Sequence, residues 1–337
     1  MHKKILLFAL VLVLAISACT PSAPAPTELT TVDVCYSAKS ASTVVLWYAQ
    51  EKDIFAKYGL KINLEYIPSG SSAVAALIAG DVDICMVAGA GVVKAVAADQ
   101  DAVMIAGLFN KFIAGFFTTP DIQTPEDLIG KTLAISRPGS SSTVGTLLTL
   151  DEFGLTVDED VTLVSVGNDP ERFTAIKAGQ VSGAVLSPPS SIYAEQEGYT
   201  LLFDLAASDI DYQFSGLATR RAFIESDRDI VVDFMKAIIE ASAYLKADPD
   251  DTKALLAKHL ELDPVADQYI IDGSYDLFIA AGLESTPYPT LTGLQTIIDA
   301  SIETNPDVAN ITPEDTVDLS IVAELEESGF ISDIQTK

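Results

Sequence analysis

Two stretches decide how this chain is read: "ALIAGDVDIC", Ala76 to Cys85, and its echo "AIKAGQVSGA", Ala175 to Ala184. In each, a helix-like segment stops at a glycine and an apolar, strand-like segment follows. Glycine ends a helix at little steric cost. A chain that writes helix, stop and strand twice is building the same α/β unit twice.

Working outward from the first copy, strand and helix signals alternate. "TVDVCYSA" reads as a strand, and "VVLWYAQEKDIFAKYG" as a helix stopped at Gly59. "KINLEYIPSG" alternates like a strand, "SSAVAALIAG" is a helix closed by Gly80, and "VDICMVAG" is a buried strand. "AGVVKAVAAD" is another helix, and "DAVMIAGLF" and "FIAGFFTT" are strands. Repeated β-α-β units imply a parallel sheet with helices on both faces.

Around the second copy the scheme restarts. "TPEDLIG" is a short helix with Thr124 as cap, Pro125 at its first position and Asp127 completing a capping box. "KTLAIS", "VTLVSVG", "VSGAVLSPP" and "YTLLFDL" are strands, separated by helices at "SSSTVGTLLTLDEFG", "NDPERFTAIKAG" and "SSIYAEQEG". Past Asp209 one more strand, "FSGLATRRAF", gives way to long amphipathic helices with too little strand for a third sheet. These are expected to pack back on the first unit. The fold expected is therefore α/β, with two doubly wound lobes joined by two crossover strands near Phe116–Asp121 and Leu205–Phe214. Lobe I comprises residues 32–117 and 212–337, lobe II residues 118–211, with a hinge and a cleft between.

The length of 337 residues suits about two domains. Residues 1–18 read as a signal peptide: basic "MHKK", apolar "ILLFALVLVLA", then "ISAC", which matches a lipobox. Cys19 is then the lipidated mature N-terminus; the alternative is an ordinary signal peptide, or a short membrane anchor, with Cys19 incidental. Residues 19–31 form a Pro/Ser/Ala tether. Cys35 and Cys85 lie in strand-like runs, and parallel strands rarely present side chains well for a disulfide, so both are expected as buried free thiols. The net charge of −28 excludes nucleic acid as a partner, and the scattered acids read as a solvated surface.

In open sheets of this kind ligands collect beyond the carboxyl ends of strands. Five loops there share small, donor-rich residues: Ser37–Thr43, Pro68–Ala73, Ala88–Gly91, Ser136–Thr143 and Ser187–Ser191. Helix starts of this composition suit an anion or polar acceptor; plain capping is the structural alternative for any one of them. "RPGSSST" is the strongest, with Ser140, Ser141, Ser142 and Thr143. Arg137 either adds charge or points to solvent. Trp47 either stacks on a ligand or packs in the core. Tyr212, Gln213 and Phe214 lie near the return crossover, Asn110 and Lys111 near the outward one, and Asp81 and Asp83 cap a turn. With only His2 and His259, no metal cluster and no Ser-His-Asp set is available, and no phosphate or dinucleotide motif follows a strand. No cofactor is expected, and the pocket reads as rich in donors and poor in charge.

Three segments carry a family resemblance: "LWYAQEKDIFAKYGLKINLEYIPSGSSAVAALIAGDVDICMVAGAG", "TPEDLIGKTLAISRPGSSS" and "FTAIKAGQVSGAVLSPP". The chain resembles substrate-binding proteins of nitrate/sulfonate/taurine-type ABC importers, which include binders of thiamine-pyrimidine precursors. The resemblance runs from about Val32 to His259. It implies a type II periplasmic-binding fold and ligand contacts at Ser40, Ser42, Thr43, Ser69, Gly70, Ser71, Gly89, Ala90, Ser140, Ser141, Ser142, Ser187 and Pro188. The uncharged "SPPSS" replaces a bulkier or acidic residue often found in the family, which speaks against a cationic ligand held there. The cysteine-rich motif and catalytic histidine of the yeast-type pyrimidine synthases have no match. The expectation is a monomeric, non-enzymatic, lipid-anchored receptor outside the cytoplasm. It captures a sulfonate- or carboxylate-like anion and delivers it to an ABC permease. A neutral heterocycle as ligand, an enzyme on the same fold, or a sensor are the alternatives.

Overall fold

The computed structural model describes residues 28–336. The stretch expected to be a signal peptide, and Cys19, lie outside the described residues.

The first sheet contains β1 (Thr30–Tyr36), β2 (Leu60–Tyr66), β3 (Ile84–Val87) and β4 (Val103–Lys111). Between them run α1 (Val44–Glu51), α2 (Ile54–Lys57), α3 (Gly70–Ala79) and α4 (Gly89–Ala97). The second sheet contains β5 (Gly115–Thr118), β6 (Thr132–Ile135), β7 (Thr162–Ser165), β8 (Gly183–Leu186) and β9 (Thr200–Asp204). Its helices are α5 (Ser141–Phe153), α6 (Asp169–Lys177) and α7 (Ser190–Gln196). β10 (Asp211–Thr219) then returns to the first sheet, and the orders are β2-β1-β3-β10-β4 and β7-β6-β8-β5-β9.

The repeated glycine stop does the same job in both lobes. Gly80 (φ +79) and Gly179 (φ +66) sit in the left-handed region. Behind each, the next amide reaches back into the helix: Asp81 N–H to Ala76 O at 3.0 Å, Gln180 N–H to Ala175 O at 3.0 Å. The turn then feeds a strand into its neighbour, through Asp83 N–H to Asp33 O and Ser182 N–H to Thr132 O, both at 2.8 Å. β3 and β8 are buried along their whole length, as strands covered on both faces must be.

Four expectations need correcting. The sheets are mixed: β10 runs antiparallel to β3 and β4, and β5 antiparallel to β8 and β9. Each is the first strand after a crossing, entering its sheet from the other lobe and therefore against its neighbours. The outward crossing falls at residues 112–114, because residues 115–117, expected in lobe I, belong to a strand of the second sheet. Thr30 and Thr31, expected in the tether, already pair with Leu60 and Lys61.

The fourth correction concerns the cysteines, which form a disulfide with a Cα–Cα distance of 4.5 Å. The expectation of free thiols failed because the register sets Cys35 directly opposite Cys85 on adjacent strands, both fully buried. That separation lies within the range a disulfide spans.

The helical tail packs on lobe I. The segment α8 (Arg221–Ala247) buries Glu240, which accepts from Lys57 Nζ at 2.6 Å and Tyr58 Oη at 2.5 Å. Helix α9 (Pro249–His259) stacks His259 on Trp47, ring centroids 4.7 Å apart. Helix α10 (Gln268–Tyr275) and helix α11 (Leu291–Ser301) also touch lobe II, at α7 and α5 respectively. Among the described residues no helix is long and apolar enough to cross a membrane.

The bridge closes a loop of 50 residues in sequence separation. Replacing both cysteines by serine should lower unfolding stability by roughly 2–4 kcal/mol. Urea titration of the double variant beside the oxidised parent checks this; matching midpoints would contradict the bridge.

Candidate functional site

Between the lobes lies a cavity of about 140 Å³, walled by loop ends from both sheets. Its construction begins with how helices start. The first amides of any helix have no partner within it and need a cap, a ligand or water. Some helices here are capped by side chains: Asp248 receives Asp251 N–H, Thr290 receives Gly293 N–H and, at the cavity, Asn168 receives Glu171 N–H at the start of α6; α2 and α10, away from it, have no side-chain cap. At the cleft, α1 and its leading turn Ala41–Thr43, α3, α4 and α5 begin with no side-chain cap. Gly70 at the start of α3 and Ser141 and Ser142 at the start of α5 line this cavity from opposite lobes. Ser69, which precedes α3, holds φ +77, a conformation costing about 1–3 kcal/mol outside glycine.

Around these amides the serine hydroxyls interlock. Ser40 and Ser42 share a hydrogen bond of 2.7 Å. Ser136 Oγ donates to Ser140 Oγ at 2.7 Å, and Ser136 N–H to Ser142 Oγ at 2.8 Å. Phe112, Val185 and Phe214 supply an apolar part of the wall. Phe112 packs on the fully buried Tyr212, centroids 4.2 Å apart, and the Tyr212 hydroxyl donates across the lobes to Ser141 Oγ at 3.2 Å. Burial pushes the Tyr212 phenol well above its ordinary value, opposed by the bond to Ser141.

Of the expected residues, Ser40, Ser42, Ser69, Gly70, Ser140, Ser141, Ser142 and Ser187 line this cavity. Ser71 and Arg137 line a wider outer chamber of about 790 Å³ that shares Ser69 and Ser136 with it. The others lie elsewhere. Thr43 donates to Ala38 O and shapes its loop. Trp47 is in the core against His259, so its core alternative holds. Gly89 faces Leu294 and Gln213, and Ala90 is buried; Ala88 and Gly91 take their places in the wall. Asn110 donates to Tyr288 O, Gln213 receives Thr290 N–H, and Pro188 is buried behind the wall.

The expectation of a charge-poor pocket is overturned. Lys39, Asp169 and Arg172 line the cavity. The Arg172 guanidinium is almost fully buried. It donates to Val185 O through Nε at 3.3 Å and Nη2 at 3.1 Å, to Gly167 O through Nη1, and to Asp169 Oδ1. Asp169 Oδ2 receives Ser187 N–H at 2.9 Å. Thus a carboxylate does stand beside "SPPSS", contributed by α6. Asp169 and Arg172 lie three residues apart on one helix face, the spacing of a pair; the sequence reading took "NDPERFTAIKAG" only as a helix and did not single them out. Lys39 extends over the Tyr66 ring at 5.3 Å. The Tyr66 hydroxyl is buried without a partner among the described residues, and burial raises its phenol.

The chain matches the family described as NMT1/THI5 like over residues 41–252. It is 26% identical over 231 residues to a Brachyspira hyodysenteriae protein whose name places it among ABC transporter periplasmic binding proteins. That match spans 62% of this chain and 64% of the relative's length. A solved protein of Bordetella bronchiseptica RB50 superposes with TM-score 0.77 at 20% identity, covering 89% of this chain and 98% of that one. The nitrate-binding protein NrtA of Synechocystis PCC 6803 gives TM-score 0.73 at 14% identity, over 91% of each chain. The aliphatic sulphonate binding protein SsuA of Escherichia coli gives 0.67 at 20%, over 85% and 91%. At these identities the likeness establishes the periplasmic-binding-protein fold.

Removing Arg172 would leave Asp169 without its counter-charge and two carbonyls without donors. Arg172→Met is expected to cost about 3–5 kcal/mol of unfolding free energy. Denaturant titration checks it, and a loss under about 1 kcal/mol would show that the pair does not hold the loop.

Proposed function

Since the chain belongs to the NMT1/THI5-like family, we propose that it is the solute receptor of an ABC importer, anchored outside the cytoplasm by lipid on Cys19. It captures a small organic anion, sulfonate- or carboxylate-like, and is not an enzyme. The observation carrying the ligand class is the convergence of uncapped helix starts from both lobes, with serine hydroxyls, on one cavity.

Two electrostatic effects compete. The net charge of −28 repels an approaching anion. At physiological salt that field is screened beyond about 8 Å. Inside the cleft each uncapped start contributes roughly 0.3–1 kcal/mol, up to about 2 when partly buried, and several act together. Lys39 adds a positive charge, while Arg172 and Asp169 offset one another. The local terms therefore win. Closure about residues 112–114 and 205–210 brings the two sets of amides onto the same guest. A ligand that favours the closed form about 10⁴-fold moves the population from mostly open to mostly closed. The closed form is the one a permease can distinguish from the empty receptor.

A second reading, a neutral heterocycle, draws on Phe112 and Phe214, which offer an aromatic wall. A thermal-shift panel of alkanesulfonates, nitrate, aromatic carboxylates and pyrimidines separates the two. Stabilisation by anions supports the first reading; response to pyrimidines alone supports the second.

Ser141→Asp places a carboxylate at the first position of α5, where the helix itself tolerates it. Binding of the panel's best anion should weaken by about 100-fold, roughly 2.8 kcal/mol, with the melting temperature kept. Calorimetry showing unchanged affinity would remove the α5 start from the site.

A further inference from the structure

We propose that Asp169 determines ligand specificity by accepting a hydrogen bond from an N–H or O–H group of the ligand. The bound solute then carries an anionic end and, apart from it, a donor. This deepens the anion-receptor reading and rests on it.

The inference follows from the polarity of the wall. The uncapped amides, Lys39 and the Asn168 amide group offer donors, and the serine hydroxyls can donate or accept. Asp169 is the one carboxylate among the described residues lining the cavity. It is also fixed: Oδ1 is held by Arg172 Nη2 and Oδ2 by Ser187 N–H, so it cannot rotate away from an incoming group. An ionised carboxylate offers about four acceptor positions, of which these bonds use two. The side chain keeps 25% of its surface open, so the remaining positions are within reach of a guest.

Arg172 does not compete for the guest's anionic group. Its side chain is 4% exposed, and its N–H groups point at Gly167 O, Val185 O and Asp169. Arg172 lines the cavity too, but its N–H groups are engaged within the protein, so the open hydrogen-bonding positions of the pair are those of Asp169. An acceptor atom of a ligand set against Asp169 would meet repulsion with no donor to relieve it. A donor set there is bonded. Sites built around a buried polar partner reject analogues lacking the matching group strongly, up to 10⁴–10⁵-fold; with part of Asp169 still open, at least about tenfold is expected.

The test uses matched probes in calorimetry on the full chain, stripped of bound solute by unfolding and refolding. The pairs are 2-hydroxyethanesulfonate against ethanesulfonate, 2-aminoethanesulfonate against ethanesulfonate, and 3-aminopropionate against propionate. In the parent protein, the donor-bearing member of at least one pair binds about tenfold tighter or better. Asp169→Asn, whose one carbonyl oxygen is already claimed by Ser187 or Arg172, brings that ratio below about threefold. Should that variant fail to fold, Asp169→Ala with Arg172→Met removes both charges together and is measured the same way. A purely structural Asp169 would alter melting temperature and leave the ratio unchanged. Parent ratios near unity, or a ratio that survives either variant, overturn the proposal alone. Binding of no probe by the parent overturns the anion reading and this inference with it.

Discussion

Helices that begin inside a protein with nothing to receive their first amides set the terms for the rest of this structure. A buried N–H without an acceptor costs about 1–3 kcal/mol. Side-chain caps meet that need at α6, α9 and α11, while α2 and α10 begin without one. At the cavity, α3, α4 and α5 also begin without one. Small residues there, Gly70, Ala88 and Gly91 among them, leave the amides uncovered, and Ser69 adopts a strained backbone to start α3. Local stability has been given up at the one place where a guest can restore it.

The remaining architecture keeps those starts opposed. The twin glycine stops return each chain to its sheet, so that the following loop emerges at the same edge. The disulfide between β1 and β3 fixes the loop at Ser37 relative to the one at Ala88. Besides the packing of α10 on α7 and of α11 on α5, three side-chain hydrogen bonds bridge the lobes: Tyr212 to Ser141, Lys94 Nζ to Pro138 O at 3.1 Å, and Tyr193 Oη to Asp267 Oδ1 at 3.2 Å. Each is a single hydrogen bond, worth about 0.5–1.5 kcal/mol. Such contacts orient closure and leave it reversible.

How much of this was legible in the sequence depends on the kind of signal. Glycine stops and apolar periodicity are local, and they gave both lobes and most strands. Strand direction is not local: the apolar runs of β5 and β10 look the same whichever way they point, so the mixed sheets were hidden. Register is not local either, and one residue of slip would have separated Cys35 from Cys85. In the site, the serine-rich loops were readable because donors near helix starts have a compositional signature. Gly89 and Ala90 were expected where Ala88 and Gly91 line the wall, because each helical residue turns the side chain by about 100°. Asp169 and Arg172 escaped because charged residues on a helix usually face water, and only tertiary packing brought this pair to a cavity.

Amide hydrogen exchange at Gly70, Ser71, Ser141 and Ser142 tests the central claim most directly, with and without the anion that gives the largest thermal shift. The account predicts that ligand slows exchange at the α3 and α5 starts together, one set from each lobe. Protection confined to one lobe, or absent from both while the ligand is bound, would contradict it.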